Sequence, residues 1–397
     1  CDARGVLVWQ EFIFAGGKYP AYDRAFHDSV VAEATWNIRR LAGHPSLVIW
    51  CGNNELELHN TTKKFGEQGL VIPHYQLFHY TLPRLIRAED PTRFYWPSSP
   101  YSPDHQHPNC QDCGDQHSWD IGIVHSPESM NFQGHRQFAG RFSCEGGFLG
   151  PTALPTMQAC LGSGDAKAKG FAWRLHGNLF QSDPCVFWIG RSRDDLSLEE
   201  YAYWGGLLQG EALREMCDNN RRRMFIESAA AIFWMYNDCW PCTWSWTIVD
   251  YYQRRTPSYH PVRRALAPIS VVVVEEEEAI VIYGINDSRE IRTGILRHGV
   301  FTMSGSYPVD RSTEVTLQPN ASTRIASFPA TEWRDRQSSM PFAVLSDHDD
   351  RLLARNRLSQ GWFKDLDWAT ADVTVRVENN QAVFSSDHFV MGICIDL

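Results

Sequence analysis

The chain has 397 residues, 43% hydrophobic and 13% aromatic, a composition typical of a folded protein with two or three domains. Lys and Arg number 37 against 47 Asp and Glu, and the net charge of −10, without any long basic tract, argues against a nucleic acid as partner. No apolar stretch approaches the ~18 residues that a transmembrane helix requires, so the sequence predicts no membrane role.

The cysteines number eleven, and two C-x-x-C spacings, at residues 110–113 and 239–242, are compatible with zinc. The second spacing flanks a Trp-Pro dipeptide in an aromatic segment with no second ligand pair nearby. The sequence therefore predicts buried free thiols in preference to a structural metal site. The odd cysteine count, and the lack of a signal-peptide pattern after Cys1, favour a cytoplasmic location, while the oligomeric state stays open.

Strands and helices are predicted to alternate over the first 240 residues. The predicted strands cover residues 5–12, 47–50, 93–97, 116–119 or 121–124, 141–145 and 231–236. Apolar residues recur at helical spacing behind a possible cap at Asp23, again over 74–87, and in a long stretch that contains Leu208 and Met216. This alternation implies parallel strand pairing. Polar residues at the carboxyl ends of the strands indicate a (β/α) barrel with its site on that face.

A closed barrel of this kind needs eight strands, and the sequence offers about six. The other two strands either lie ahead of Cys1, where the chain starts abruptly on a strand, or are not revealed by the periodicity of the sequence. From residue 266 helical periodicity gives way to β-branched runs, with an exposed hairpin tip predicted at the acidic run 275–278. We therefore predict an α/β plus all-β chain: a partial (β/α)8 barrel catalytic domain over 1–265, then a C-terminal β-sandwich region of one or two immunoglobulin-like units over 266–397.

Two acidic residues end apolar strands. Glu55 comes directly after the strand at 47–50 and a short polar run, and Glu145 closes the strand at 141–145. The chain between them is long enough for about three βα units, so we expect the two carboxylates to face each other across the barrel mouth. Glycoside hydrolysis requires such a pair, one protonated to assist the leaving group and one ionised to meet positive charge at the anomeric carbon.

Four tryptophans, Trp9, Trp96, Trp119 and Trp234, also lie at or near predicted strand ends. Their flat rings can pack on the hydrophobic face of a sugar, although any one such ring taken alone is more often part of the core. Together with the two carboxylates they predict an oligosaccharide as the bound partner.

Several runs of the sequence resemble glycoside hydrolase family 2. Residues 1–12 and the run 43–55, which ends Gly-Asn-Asn-Glu, resemble that family's third and fourth barrel strands, and the Gly-Asn-Asn-Glu form resembles its β-mannosidases. Further runs follow in the family's order: Trp96-Pro-Ser-Ser-Pro100, Gly114-Asp-Gln-His-Ser-Trp119, Arg141-Phe-Ser-Cys-Glu145, Phe233-Trp-Met-Tyr-Asn-Asp-Cys-Trp-Pro241 and Ser385-Ser-Asp-His-Phe-Val-Met-Gly392. The resemblance covers nearly the whole chain and implies that it is the carboxyl-terminal half of such an enzyme.

The resemblance implies roles for individual residues. Glu55 would be the acid/base and Glu145 the nucleophile of a retaining mechanism, and Asn54 would hydrogen-bond the sugar 2-hydroxyl. The implied sugar subsite is lined by His117, Trp119 and Trp234. Because a general acid must hold its proton near the working pH, we expect the pKa of Glu55 to be raised above that of Glu145.

The implied function is a retaining exo-glycosidase that hydrolyses terminal β-mannosyl residues from oligosaccharides and needs no cofactor. Around the nucleophile the family usually has an aromatic residue and a Gln-Ser pair, whereas here Glu145 is followed by Gly-Gly-Phe-Leu-Gly. Two alternatives therefore stay open. One is another β-glycosidase of the family, acting on galactosides, glucuronides or glucosaminides, and the other is a catalytically silent carbohydrate-binding fragment.

Overall fold

The computed structural model describes residues 1–61, 74–104, 106–162 and 167–395. The chain forms two compact units, one made of Cys1–His117 with Ala139–Cys144 and the other of Ser118–Phe138 with Glu145–Leu397. Within the described residues, no helix has both the length and the apolar character that a bilayer crossing needs. The predicted domain boundary between residues 265 and 266 stays a prediction.

The first unit is built on a parallel three-stranded sheet in the order β1-β2-β3, and it also contains β4 and all of β5 but Glu145, which are strands of a second sheet. The strands are β1 (Val8–Glu11), β2 (Leu47–Cys51), β3 (Phe94–Trp96), β4 (Gln116–His117) and β5 (Phe142–Glu145), and the helices are α1 (Arg24–Leu41), α2 (Leu56–Thr61), a π-helix (Gln76–Thr81) and α3 (Leu82–Glu89). Helices connect the consecutive strands of the parallel sheet, as the predicted alternation requires.

Helix α1 begins where the sequence predicts. The Asp23 carboxylate accepts a hydrogen bond from the Phe26 backbone N–H at 2.8 Å, which satisfies one of the free donors of the first turn. The buried face of α1 carries Val30, Ala34 and Ile38 at helical spacing. Packing of this face, more than intrinsic propensity, holds the helix against the sheet.

The end of β2 is fixed by Trp50, which is fully buried against Ile38 and Ile86. Its indole N–H donates to the Asp90 carboxylate at 2.9 Å, and Arg93 donates to the same carboxylate at 2.8 Å. Burial of one such large side chain contributes roughly 1.5–3 kcal/mol, and the paired polar groups remove the penalty of burying the indole N–H. The loop that follows β2 therefore leaves the sheet at a defined place.

The second unit begins with short elements and is organised around one long helix. Its first elements are β6 (Gly150–Pro151), β7 (Ala230–Ala231), β8 (Trp244–Ser245), α4 (Pro127–Met130), α5 (Leu154–Leu161), α6 (Phe171–Leu175), α7 (Pro184–Trp188), α8 (Leu198–Arg222) and α9 (Tyr259–Ala265). Helix α8 starts with a capping box, in which Ser197 and Glu200 each bond the other's backbone N–H. Most of its residues are buried, which agrees with the long helical stretch that the sequence predicts.

A β-sandwich follows, as predicted. Its strands are β9 (Ile269–Glu276), β10 (Ala279–Asn286), β11 (Arg292–Thr302), β12 (Val309–Leu317), β13 (Ala321–Pro329), β14 (Ser339–Ser346) and β15 (Leu352–Arg357), with a separate hairpin of β16 (Thr374–Glu378) and β17 (Gln381–Ser385). The two antiparallel sheets have the orders β13-β10-β9 and β12-β11-β14-β15. Ile282, Leu296 and Ala343 are fully buried in one core. The hairpin tip predicted at the acidic run is confirmed for Glu277 and Glu278, which form the exposed turn between β9 and β10, whereas residues 275–276 lie in β9 and are half-buried in ion pairs.

The predicted barrel is confirmed only in part. The described residues contain no closed barrel, and a partial barrel of about six strands is not confirmed. The prediction of a sixth strand over 231–236 is wrong beyond Ala231. The backbone N–H of Trp234 donates to the Gly146 carbonyl and that of Met235 donates to the Trp246 carbonyl, so no continuous strand ladder forms. Of the two alternatives for the fourth strand, the strand forms at Gln116–His117, and residues 121–124 lie outside strands.

Candidate active site

Asn53 shapes the turn that presents Glu55 at the end of β2. The buried Asn53 amide donates to the Pro97 carbonyl at 3.0 Å and accepts from the Leu56 backbone N–H at 3.2 Å, at the start of α2. Glu55 itself has a φ of 59°, in the left-handed region that non-glycine residues rarely adopt, and its N–H donates to the Ser99 carbonyl at 2.7 Å. Such strain persists only where surrounding contacts hold it, and it is a frequent mark of functional residues.

The Glu55 carboxylate lies between two histidines. His117 Nδ1 is 2.8 Å from Oε1, and His59 Nε2 is 3.0 Å from Oε2. Burial raises the pKa of Glu55, but the hydrogen bonds and charges of His117 and His59 together lower it by more, so the pKa lies below its ordinary value. The raised pKa that we expected for Glu55 is therefore wrong, because the sequence pattern did not reveal that His117 and His59 both bond its carboxylate, and the order of the pKa values of Glu55 and Glu145 stays a prediction.

His117 connects Glu55 to a buried polar cluster in the first unit. The Ser99 hydroxyl is 3.0 Å from His117 Nε2 and donates to Asp115 at 2.7 Å. The Trp96 indole N–H donates to the other oxygen of Asp115 at 2.6 Å. Ser99, Asp115 and His117 are all buried, so each of these polar groups needs its partner.

Three atoms of this cluster are of the types that metals bind. The ligand atoms of Asp115, His117 and Cys144 lie within 4.8 Å of one another. The Ser99 hydroxyl, however, is within hydrogen-bond distance of all three, at 2.7, 3.0 and 3.3 Å. A closed set of hydrogen bonds satisfies the three groups without a metal, and we interpret the cluster as that set.

Glu145 lies in the second unit, where two of its hydrogen bonds are formed. The Trp119 indole N–H donates to its carboxylate at 2.9 Å, and the Ser118 backbone N–H donates to its carbonyl at 2.8 Å. The Trp234 backbone N–H bonds Gly146 at 2.7 Å, next to Glu145 in the chain, and the Trp234 side chain is 44% exposed. Trp119 and Trp234, both predicted from the sequence, thus lie beside the chain at Glu145.

The two glycines after Glu145 are required by close approaches of other groups. A Cβ at Gly146 would lie 2.2 Å from the Ser118 hydroxyl, and a Cβ at Gly147 would lie 2.1 Å from the Trp234 carbonyl. Both distances are too short for non-bonded atoms, so only glycine at 146 and 147 allows Ser118 and Trp234 to lie this close. The departure from the usual family pattern at this place therefore has a structural cause.

The remaining predicted residues lie in the first unit. Trp9 is half-buried in β1, with its ring 5.6 Å from that of Phe142, and Trp96 is half-buried with its ring 5.0 Å from that of Tyr101. Asn54 is partly buried, and its backbone N–H donates to the Phe14 carbonyl at 2.8 Å. The first unit thus brings Glu55, His117 and Trp96 into one hydrogen-bonded cluster.

Sequence reasoning missed Asn53, His59, Ser99 and Asp115 as candidate site residues. A signal was present, because Ser99 follows the strand that ends at Trp96 and Asp115 precedes the strand that contains His117. The carboxyl ends of parallel strands gather polar groups at one edge of a sheet. His59 could have been found as the residue one helical turn after Glu55.

Comparison with known proteins relates the chain to one group of enzymes. Residues 278–365 match the family model of the Mannosidase Ig/CBM-like domain. The chain is 30% identical over 294 residues to β-mannosidase B of Emericella nidulans and 32% identical over 292 residues to β-mannosidase B of Aspergillus niger, in each case over 70% of this chain and 34% of the relative. The chain is β-mannosidase-like. It spans about a third of the length of these curated relatives.

Solved structures agree with this relationship. The β-D-mannosidase of Dictyoglomus thermophilum matches the β-mannosidase-like chain with a TM-score of 0.81 and 26% identity, over 96% of this chain and 47% of that one. The exo-chitosanase of Amycolatopsis orientalis matches with a TM-score of 0.63 at 14% identity, over 92% of this chain and 41% of that one, which shows a shared fold. The resemblance to the β-mannosidases of glycoside hydrolase family 2 is confirmed.

Proposed function

We propose that the protein carrying this chain is a retaining exo-glycosidase that releases terminal β-mannosyl residues from oligosaccharides. Its similarity to β-mannosidases B and to a β-D-mannosidase structure supports this proposal. We also propose that residues 1–265 belong to a (β/α)8 barrel of which this chain supplies part, because β1, β2 and β3 pair in parallel with helices between them. The region 266–397 would then be the separate sandwich domain.

One hydrogen bond of each carboxylate carries the chemistry. Glu55 faces an imidazole nitrogen, which can both accept and donate a proton. Glu145 receives a hydrogen bond from an indole N–H, which only donates and therefore favours the ionised carboxylate. A residue that exchanges protons suits a general acid/base, and a residue kept ionised suits a nucleophile.

The proposed reaction has two steps. In the first, Glu145 attacks the anomeric carbon while Glu55 donates its proton to the departing glycosidic oxygen, which leaves a glycosyl ester on Glu145. In the second, Glu55 accepts a proton from water, which attacks the anomeric carbon and releases the sugar with retained configuration. No metal or organic cofactor takes part in either step.

The sugar would be held by the remaining predicted residues. We assign to Asn54 a hydrogen bond with the sugar 2-hydroxyl and to His117 a place beside the reacting bond. The indole faces that would pack on the sugar ring are those of Trp9, Trp96, Trp119 and Trp234. Glu55 is 15% exposed and Trp234 is 44% exposed, so both groups can be reached from solvent.

The test is a panel of 4-nitrophenyl glycosides offered to the protein that carries the chain. We expect hydrolysis of the β-mannoside and little of the β-galactoside, β-glucuronide and β-glucosaminide. Exchange of Glu145 for Gln should reduce turnover by at least ~10³-fold, whereas Asp112→Gln, an exposed change elsewhere, should leave it unchanged. Preferred hydrolysis of another glycoside would replace mannose as the substrate, and sugar binding without turnover would contradict the enzymatic proposal.

A further inference from the structure

A buried row of hydrogen bonds leads from Trp96 to Glu55. It passes through Asp115, Ser99 and His117, with heavy-atom distances of 2.6, 2.7, 3.0 and 2.8 Å in that order. All five residues belong to the first compact unit. Asp115, Ser99 and His117 are at most 4% exposed, so water does not replace the bonds among them. It can therefore be determined which group donates and which accepts in each hydrogen bond of the row.

The assignment of donors and acceptors begins at the Asp115 carboxylate. Its Oδ1 receives the Trp96 indole N–H at 2.6 Å and the Tyr101 backbone N–H at 2.8 Å, and both of these groups can only donate. Its Oδ2 faces the Ser99 hydroxyl at 2.7 Å and the Cys144 thiol at 2.9 Å. An ionised carboxylate only accepts, so the Ser99 hydroxyl proton points to Asp115.

The Ser99 hydroxyl then determines the form of His117. A hydroxyl has one proton, and that of Ser99 is given to Asp115, so Ser99 accepts from His117 Nε2, 3.0 Å away. Nε2 therefore carries a proton. A neutral His117 consequently has a lone pair on Nδ1, 2.8 Å from Glu55 Oε1, and one proton must lie between these two atoms.

We propose that Ser99 and Asp115 are positioning residues that keep a proton on His117 Nε2, so that Nδ1 can hold the proton of the bond it shares with Glu55 and return it to Glu55 when the leaving group departs. The proposal rests on the proposed role of Glu55 as the acid/base. This arrangement excludes the Nδ1–H tautomer of neutral His117. A neutral His117 with its proton on Nδ1 would donate to ionised Glu55 and would leave this residue without the proton that a general acid must deliver.

The exchange Asp115→Asn keeps the shape of the side chain but reverses the donors and acceptors of the bonds from residue 115 to His117. The two N–H donors at Oδ1 require the amide oxygen of the new side chain there, so its NH2 group must face Ser99. Ser99 then accepts from this group and donates to His117 Nε2, which drives neutral His117 into the Nδ1–H tautomer. Exchange of an orienting carboxylate for its amide is known to impair catalysis through the wrong histidine tautomer.

The decisive measurement is the ¹⁵N spectrum of the histidine side chains, with the His117 signals identified by their loss in His117→Gln. At a pH where His117 is neutral, we expect the protonated nitrogen to be Nε2 in the unaltered protein and Nδ1 in Asp115→Asn. Ser102→Ala removes another buried hydroxyl, bonded to the Pro108 carbonyl at 3.0 Å, and should leave the spectrum of His117 unchanged. A proton on Nδ1 in the unaltered protein, or the same tautomer in both, would overturn the proposal.

Kinetics separate this inference from the proposed function. In Asp115→Asn we expect kcat/KM to fall by about 10²-fold for a β-mannoside with a poor leaving group and by only ~3-fold for one with an activated leaving group, because the latter departs without a proton. An equal loss on both substrates would contradict the positioning role. If the unaltered protein hydrolyses no glycoside while the two tautomers are found as expected, the row is established and the proposed function is wrong.

Discussion

At the scale of single residues, the charge state of Glu55 depends on two histidines, one distant from it in the sequence and one close to it. His117 is 62 positions away, and His59 is one helical turn away on α2. Because the pKa of Glu55 is lowered in the folded chain, its ionised form stabilises the fold above the ordinary glutamate pKa, and this contribution is lost as the pH falls through the folded value.

The contribution of His59 can be measured directly. His59→Gln removes one of the two imidazole partners of Glu55 and should raise the pKa of Glu55, and the effect should be small because His59 is 54% exposed and solvent screens its interaction. The shift is read from the ¹³C titration of glutamate side-chain carboxyls, with Glu55 identified by substitution to Gln. His44→Gln, which alters an exposed pair with Asp2, is the control and should leave Glu55 unchanged. An unchanged or lowered pKa in His59→Gln would contradict the account of this carboxylate.

At the scale of elements, helix α8 carries a buried ionic cluster. Arg214 donates to Glu211 at 3.0 Å, to Glu215 at 2.9 Å and to Asp218 at 2.8 Å. Burial alone would raise the pKa of Glu211, but Arg357 and Arg214 hold it at about 2. A buried cluster of this kind stays favourable only while every charge keeps its partner.

Removal of Arg214 should therefore destabilise the fold severely. Arg214→Met leaves three buried carboxylates with fewer partners, and we expect a loss of about 3–5 kcal/mol in the free energy of unfolding. Arg292→Met breaks an exposed pair with Glu290 at 2.8 Å and should cost less than about 1 kcal/mol. Urea denaturation of the two variants gives the comparison, and equal losses would show that the α8 cluster contributes no more than a surface pair.

At the scale of the whole molecule, local patterns predicted what local forces determine. The cap of α1 at Asp23, the long helix α8 and the hairpin tip between β9 and β10 each depend on a few consecutive residues, and each is confirmed. The strand over 231–236 fails because its backbone bonds separate segments, at Gly146 and Trp246, that no local pattern reveals. A strand is stabilised by partners distant in the sequence, so its limits are the least predictable feature.

The candidate site follows the same rule. The pattern of carboxylates at strand ends identified Glu55 and Glu145 as candidates, and the roles assigned to them stay predictions. The positions of Ser99 and Asp115 beside strand ends could be read from the sequence, but their hydrogen bonds could not, because Ser99 meets His117 and Asp115 only through tertiary packing. The glycines at 146 and 147 likewise became understandable only through Ser118 and Trp234.

The central claim is that Glu55 is the acid/base and Glu145 the nucleophile, and the configuration of azide products tests it most directly. In Glu55→Ala, azide can attack the glycosyl-enzyme from the face that the leaving group has vacated, so an activated β-mannoside should yield the β-mannosyl azide of retained configuration. In Glu145→Ala, azide instead fills the place of the nucleophile and should yield the inverted α-azide. Assignment of both anomers by NMR decides the matter: these two products would support the assigned roles, and the same products with their stereochemistry exchanged between the variants would contradict them.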